Sequence, residues 1–319
     1  MTALRRPPYD DEILALYEQV GDTVDLTLRA EAIGAERAKA AAQPPEDLSG
    51  FSMDREDHTV TSYDGSQIII SVFTPRGHRP DKSPGIFHIH GGGMVMGDRL
   101  GGLSFILPWA VEHQAVLATV EYRLAPEFPD PAPVEDCYTA WEWVVTHAHE
   151  LGIDPTRIVL EGGSAGGGLA AGVALLARDR QGTRPLAQLL IAPMLDDRDS
   201  TTSTLQYEGI GVWNRESNIV GWTALLGDRK GTDDVSIYAA PGRAADLSDL
   251  PPALIDVGSA EVFRDEAVAF ATRMWADGGN AELHVWPGGT HGYDAILPGA
   301  VISQQAMSAR ADWLRRILA

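Results

Sequence analysis

The chain is predicted to fold as an α/β protein, with a mostly parallel central sheet flanked by helices. Three observations predict it. Six short apolar runs, GIFHIH (85–90), AVLATVEY (115–122), RIVLEG (157–162), LAQLLIAP (186–193), PALIDVG (252–258) and AELHVWP (281–287), alternate with longer helix-like segments. This is the rhythm of strand–helix–strand crossovers. Before them, DHTVTSYDGSQIIISVFTP alternates around Asp64-Gly65, a strong hairpin signal. After them, residues 301–318, VISQQAMSARADWLRRIL, read as a closing helix.

In chain order, residues 1–48 are helix-like and acidic, with apolar spacing in DEILALYEQV and an alanine-rich stretch ending at AAQPPED. They are read as the N-terminal part of a helical cap. Residues 49–195 are read as the first part of the core and 251–319 as its second part. Between them the rhythm breaks. Residues 196–250 offer no convincing core strand and hold YEGIGVWNRESNIVGWTALLGD, a helical, tryptophan-bearing insertion. An insertion at the C-terminal edge of a parallel sheet lies over the place where such folds bind ligands. It is expected to form a lid together with residues 1–48.

The 319 residues are 44% hydrophobic and 22% charged, ordinary proportions for a globular chain able to bury a large core. The 25 Lys plus Arg against 45 Asp plus Glu leave a net charge of −20. That argues against nucleic acid or an anionic membrane as the main partner, because both demand basic patches. The single cysteine, Cys137, cannot form an internal disulfide. Its surroundings, PVEDCYTAWEWVV, read as an amphipathic helix in which it is a small buried hydrophobe. No apolar stretch of about 7–15 residues follows the Arg5-Arg6 pair, and no run of about 18 apolar residues occurs. Neither a signal peptide nor a membrane span is expected, and the expected location is cytoplasmic.

RIVLEGGSAGGGLAA (157–171) runs a strand into glycines around one serine. Glycine loses more backbone freedom on folding than other residues, so its clustering here needs a reason. Strand, Gly-Gly-Ser-Ala-Gly, then helix is the G-x-S-x-G nucleophile elbow. Larger residues at 162 and 166 would collide where strand and helix cross. The tight turn holds Ser164 strained at its tip, at the positive end of a helix. A dinucleotide-binding turn would instead need G-x-G-x-x-G and an acid about 20 residues on. Position 182 is Gly, and no such acid follows at a strand end.

A serine needs a base and an orienting acid, and in sheets of this type they follow it in the order acid, then histidine. Two histidines lie downstream. His284 falls inside the strand AELHVWP, whereas His291 sits in the glycine-flanked loop GGTHGYD just past that strand's end, where a base belongs. For the acid, the strand ALIDV and the following GSAEVFRDEAVAF offer Asp256, Glu261, Asp265 and Glu266. Asp256 points off the sheet face. Asp265 and Glu266 lie a turn into a helix and read as solvated or salt-bridged surface groups. Position favours Glu261, in the loop itself, with Asp265 as runner-up.

IFHIHGGGMVMGD supplies three consecutive glycines after a strand. They let a backbone approach a substrate closely with its N–H groups free, as stabilising an oxyanion requires. His88 and His90, two apart on the strand, could suggest a metal site, but no further histidine or carboxylate follows at zinc spacing. No metal is expected.

With HGGG (90–93), EYRLAPE (121–127), GGSAGG (162–167), RDEA (264–267) and HGY (291–293), the sequence resembles the hormone-sensitive-lipase-like esterases of the α/β-hydrolase fold (bacterial family IV). The spacing agrees from about residue 50 to the end, and the N-terminal segment agrees only in kind. The resemblance implies Ser164 as nucleophile and His291 as base. It also implies oxyanion donors from the backbone of Gly92, Gly93 and Ala165, and a two-part helical cap. One departure is that the family usually has Asp-Pro-Leu-Arg-Asp-Glu, with its first Asp as the acid, where this chain reads Glu261-Val262-Phe263-Arg264-Asp265-Glu266. Glu261 takes that place, one methylene longer. Another is Gly163 before the serine in place of the more frequent Asp or Thr.

The expected reaction is hydrolysis of short- to medium-chain carboxylic esters through an acyl-enzyme, without metal or cofactor. The same parts serve amide and formamide cleavage, so an arylformamidase-type amidase is the first alternative. A catalytically silent small-molecule-binding protein is the second. Trp213 and Trp222, with Met94 and Met96 after the oxyanion glycines, suggest a closed apolar pocket, or equally the core of the cap. The edge strand AELHVWP and the last helix could meet a second copy, so a homodimer is a further expectation.

Overall fold

A computed structural model describes residues 4–20, 26–77 and 83–319. Of the N-terminal segment assigned to a cap, residues 1–3 and 21–25 lie outside the described residues. Helix α1 (Asp11–Val20) and helix α2 (Ile33–Ala41) precede a hairpin of β1 (Met53–Thr61) and β2 (Gln67–Pro75). The pair closes at Thr61↔Gln67, and Gly65 takes the positive φ of 90° that the turn requires. There follow β3 (Ser83–Ile89), α3 (Leu107–His113), β4 (Val116–Glu121), α4 (Ala132–Thr146), β5 (Ile153–Gly163), α5 (Ala165–Asp179) and β6 (Ala187–Ile191). After β6 come α6 (Thr202–Gln206) and α7 (Arg215–Leu226), then β7 (Ala253–Gly258), α8 (Arg264–Ala276), β8 (Ala281–Trp286), α9 (Tyr293–Ile296) and α10 (Val301–Ile317).

The eight strands form one sheet in the order β1-β2-β4-β3-β5-β6-β7-β8, antiparallel at β1, β2 and β4 and parallel from there to β8. It is the α/β-hydrolase fold. Each of the six apolar runs is a strand, and the stretch 196–250 contains helices and no strand.

The period-2 pleat divides each central strand between two cores. Ile158 and Leu160 of β5, Phe87 and Ile89 of β3 and Ile255 and Val257 of β7 pack with α4, α5 and α8. Val159, Ile86 and Leu254 face the other way, against Trp109 of α3 and Trp313 of α10. By the same alternation His88, Glu161, Gly163 and Asp256 face the α3/α10 side at the C-terminal ends of their strands. Cys137 is fully buried, as a small hydrophobe should be. The N-terminal segment touches the insertion: Leu28 N–H donates to Ser217 Oγ (2.9 Å) and Asn214 Nδ2 to Thr27 Oγ1 (2.7 Å). No helix among the described residues is long and apolar enough to cross a membrane.

Candidate active site

The junction of β5 and α5 shows why the glycines are there. Ser164 has φ 57° and ψ −122°, a conformation side-chain-bearing residues rarely adopt. A Cβ at Gly162 would lie 2.3 Å from the Gly166 carbonyl oxygen, and one at Gly166 only 1.9 Å from that of Ile89. Neither can be accommodated without moving backbone. The turn is tied down by Ser164 N–H donating to the Ile191 carbonyl (2.8 Å) and Met194 N–H to that of Ser164 (3.0 Å). Position 163 is different, since a Cβ there meets nothing nearer than 3.8 Å. The glycine before the serine is not a steric requirement.

Three predicted residues meet at this turn. The Ser164 hydroxyl donates to His291 Nε2 at 3.0 Å, and His291 Nδ1–H donates to Glu261 Oε2 at 2.7 Å. Glu261 is buried, and the edge of Phe263 packs on the His291 ring with centroids 5.1 Å apart. A carboxylate on Nδ1 leaves the Nε2 lone pair facing the hydroxyl, the arrangement a general base needs. The runner-up, Asp265, is engaged elsewhere: it ion-pairs with Arg264 (2.7 Å) and accepts from Ser203 N–H (2.7 Å). His284 lies in β8 and pairs with Glu282 at 2.9 Å, away from the serine.

Glu266 corrects an expectation. It is buried rather than on the surface, accepts from Leu195 N–H at 2.7 Å, and burial pushes its carboxyl well above the ordinary range. The segment that leaves β6 covers the first turn of α8, which sequence spacing could not register.

The HGGG loop lies directly beside the elbow: a Cβ at Gly91 would be 3.0 Å from the Gly163 carbonyl and 3.4 Å from Ser164 Cβ. Gly92 and Gly93 have φ of 111° and 63°, and Cβ atoms on them would run into the Met96 carbonyl and the Trp213 ring, each at 2.2 Å. Ala165 opens α5, so its N–H has no partner one turn back.

EYRLAPE acts as a brace for this loop. The Tyr122 hydroxyl donates to the His90 carbonyl (3.0 Å), its ring stacks on that of His90 at 4.1 Å, and Ala125 N–H donates to the Met94 carbonyl (3.0 Å). Arg123 pairs with buried Asp136 (2.8 Å) and with Asp64 of the hairpin turn (2.7 Å). Arg37 on α2 went unnoticed in the sequence. It donates to the Val95 and Ala125 carbonyls (2.6 and 2.5 Å) and pairs with Glu127 (2.9 Å). No local signal reveals it, because its partners are remote in the chain.

A cavity of about 270 Å³ opens at Ser164 and His291. It extends along the α3/α10 face of the sheet and is walled by Phe105, Ile106, Trp109, Ile191 and Met307, with His88, Glu161, Asp256 and Arg310 also lining it. Trp213, Trp222, Met94 and Met96 do not line it. Trp222 and Met94 are fully buried, and Trp213 packs on Gly93 with its Nε1–H on Asn218 Oδ1 (3.2 Å). Of the two readings left open, Trp213, Trp222 and Met94 are core, and Met96 is half-buried against it. His88 does not sit with His90 in a ligand cluster: it pairs with Glu161 at 2.6 Å, and His90 lies under Tyr122. Among the described residues no group of three His, Cys, Asp or Glu could hold a metal ion. Arg310 of α10 ion-pairs with Asp256 (2.8 Å) and Asp294, tying the last helix to β7 and to the helix after His291.

Known proteins resemble this chain in sequence and in fold. A family profile described as alpha/beta hydrolase fold matches residues 86–295. The carboxylesterase NlhH of Mycobacterium tuberculosis is 37% identical over 283 residues, 85% of this chain and 86% of its own. The esterase LipI of the same organism is 35% identical over 69% of this chain and 70% of its own. The solved structure of a bacterial heroin esterase superposes with a TM-score of 0.90 at 36% identity, covering 98% of each chain. The chain belongs to the alpha/beta hydrolase family and is a carboxylic ester hydrolase.

Proposed function

We propose that the protein is a hormone-sensitive-lipase-like serine esterase that cleaves short- to medium-chain carboxylic esters through an acyl-enzyme. The observation that carries the reading is the unbroken hydrogen-bond chain from Ser164 Oγ through His291 to Glu261, 3.0 and 2.7 Å, beside a glycine loop with no side chains in the way. Ser164 Oγ attacks the ester carbonyl while His291 Nε2 takes its proton, and Glu261 holds the imidazole and balances the imidazolium. The N–H groups of Gly92, Gly93 and Ala165 receive the developing oxyanion. His291 then gives its proton to the leaving alcohol, and water repeats the sequence on the acyl-enzyme. Every step uses groups of this chain.

The cavity volume of about 270 Å³ lies near the lower end of small-molecule sites, ~300–1,000 Å³, which supports compact acyl groups. We further propose that the N-terminal segment and residues 196–250 act together as a lid on the glycine-loop side of the site, where Trp213 packs on Gly93 and Arg37 holds the Val95 carbonyl.

A panel of p-nitrophenyl esters graded by acyl length, with one anilide and one formamide, tests the reading. Turnover should peak at short acyl chains, and a fluorophosphonate should label Ser164. Preferential cleavage of the anilide or formamide would move the protein to the amidase alternative. A Ser164→Ala protein with normal ester turnover would end the proposal.

A further inference from the structure

The wall of the cavity that is farthest from an esterase's ordinary needs is polar. His88 and Glu161 are register partners on β3 and β5, both on the face that looks toward α3 and α10. Their side chains are 6% and 3% exposed, and His88 Nδ1 meets Glu161 Oε2 at 2.6 Å. A buried pair of this kind is a weak source of stability, because desolvation offsets most of the attraction. It does fix the ring: Nδ1 faces the carboxylate, which leaves Nε2 for another partner. That Nε2 is buried and has no partner among the described residues, although His88 lines the cavity.

A second polar atom shares this state. Tyr293, two residues after His291, also lines the cavity, and its buried hydroxyl has no partner among the described residues. Burial pushes the phenol up, so it keeps its proton and can donate. Unpaired buried polar atoms are unfavourable by about 1–3 kcal/mol each, and two of them belong to residues that line the same chamber as Ser164. A hydroxyl both gives and accepts a hydrogen bond, so it answers both. The apolar walls of Phe105, Ile106 and Met307 would hold the carbon skeleton around it.

We propose that this chamber recognises a hydroxyl carried by the ester a few bonds from its carbonyl, with His88 Nε2 and Tyr293 Oη as its hydrogen-bond partners. The natural substrates are then short hydroxylated esters. The inference rests on the reading of Ser164 as the nucleophile, and it adds His88, Glu161 and Tyr293 as residues that set specificity.

Two isosteric pairs test it, with acid release followed by pH-stat. Methyl 3-hydroxybutyrate against methyl 3-methylbutyrate places the hydroxyl on the acyl side. 2-Hydroxypropyl acetate against isobutyl acetate places it on the alcohol side. In one arm the wild-type kcat/KM should favour the hydroxylated ester by about tenfold or more. That ratio should fall to one or below in both His88→Phe and Tyr293→Phe. The latter removes a single oxygen, so it decides the matter if the histidine variant does not fold. A wild-type ratio at or below one in both arms, as a chamber holding only water would give, overturns the inference while leaving the esterase reading intact. A high ratio unmoved by Tyr293→Phe overturns it too. Failure to hydrolyse any of the four esters would instead overturn the esterase reading, and this inference with it.

Discussion

Glu261 and Asp265 stand four positions apart with different employment: one carboxylate touches the imidazole and the other joins α6 to α8. Glu261→Ala should lower kcat by roughly 10³–10⁴-fold, the loss expected when the base is no longer oriented. Asp265→Ala should leave kcat within a few-fold of wild type and destabilise the fold by about 1 kcal/mol through the lost hydrogen bond. Steady-state kinetics with a short ester and a urea titration check both, and the reverse ranking in kcat would overturn the assignment. His90 supplies a pH prediction. Burial, the largest influence, pulls its imidazole from 6.5 down to about 4. Between those values the unfolded chain binds a proton there that the folded chain refuses. Its contribution is therefore complete above pH 6.5 and lost as pH falls through about 4, a total of roughly 3 kcal/mol. Urea unfolding at pH 7 and pH 4.5 should show a smaller loss for His90→Asn than for wild type, and equal losses would show that His90 does not drive it.

At the scale of elements, the strand–turn–helix that carries Ser164 depends on two glycines and tolerates change at a third. Gly166→Ala would place a methyl group 1.9 Å from the Ile89 carbonyl. The crossing of α5 over β3 must then open, at more than about 3 kcal/mol, so the variant should melt well below wild type or fail to fold. Gly163→Ala meets only ordinary contacts at 3.8 and 3.9 Å and should change stability by less than about 1 kcal/mol. Thermal melts of the two variants side by side measure the contrast. The family resemblance puts an Asp or Thr side chain at 163 where this chain has none, yet the turn is already held by main-chain bonds to Ile191 and Met194.

Across the whole molecule, three long-range ties hold the site together. Arg37 joins the N-terminal segment to the glycine loop, Arg123 joins the hairpin turn to α4, and Arg310 joins α10 to β7. Arg310 is the most consequential, being 2% exposed with two carboxylates on it. Arg310→Met should cost about 3–5 kcal/mol, because it leaves Asp256 buried without its partner. Replacing Asp256 in addition, as Arg310→Met with Asp256→Leu, should recover a large part of that loss. Denaturant midpoints for the single and double variants check the pair, and a double variant no better than the single would refute it.

Much of this was legible in the linear chain. The strands announced themselves because apolar runs of strand length lay between helix-like segments. Ser164, His291 and Glu261 were readable because strand ends and glycine turns mark where side chains emerge from a parallel sheet. What the chain could not disclose was which buried groups face one another. The burial of Glu266, the pairing of His88 with Glu161, and the core placement of Trp213 and Trp222 depend on segments far apart in sequence being packed together. The three arginine ties depend on the same packing. Local propensity carries no record of such contacts, since each exists only once the sheet has brought the ends of its strands side by side.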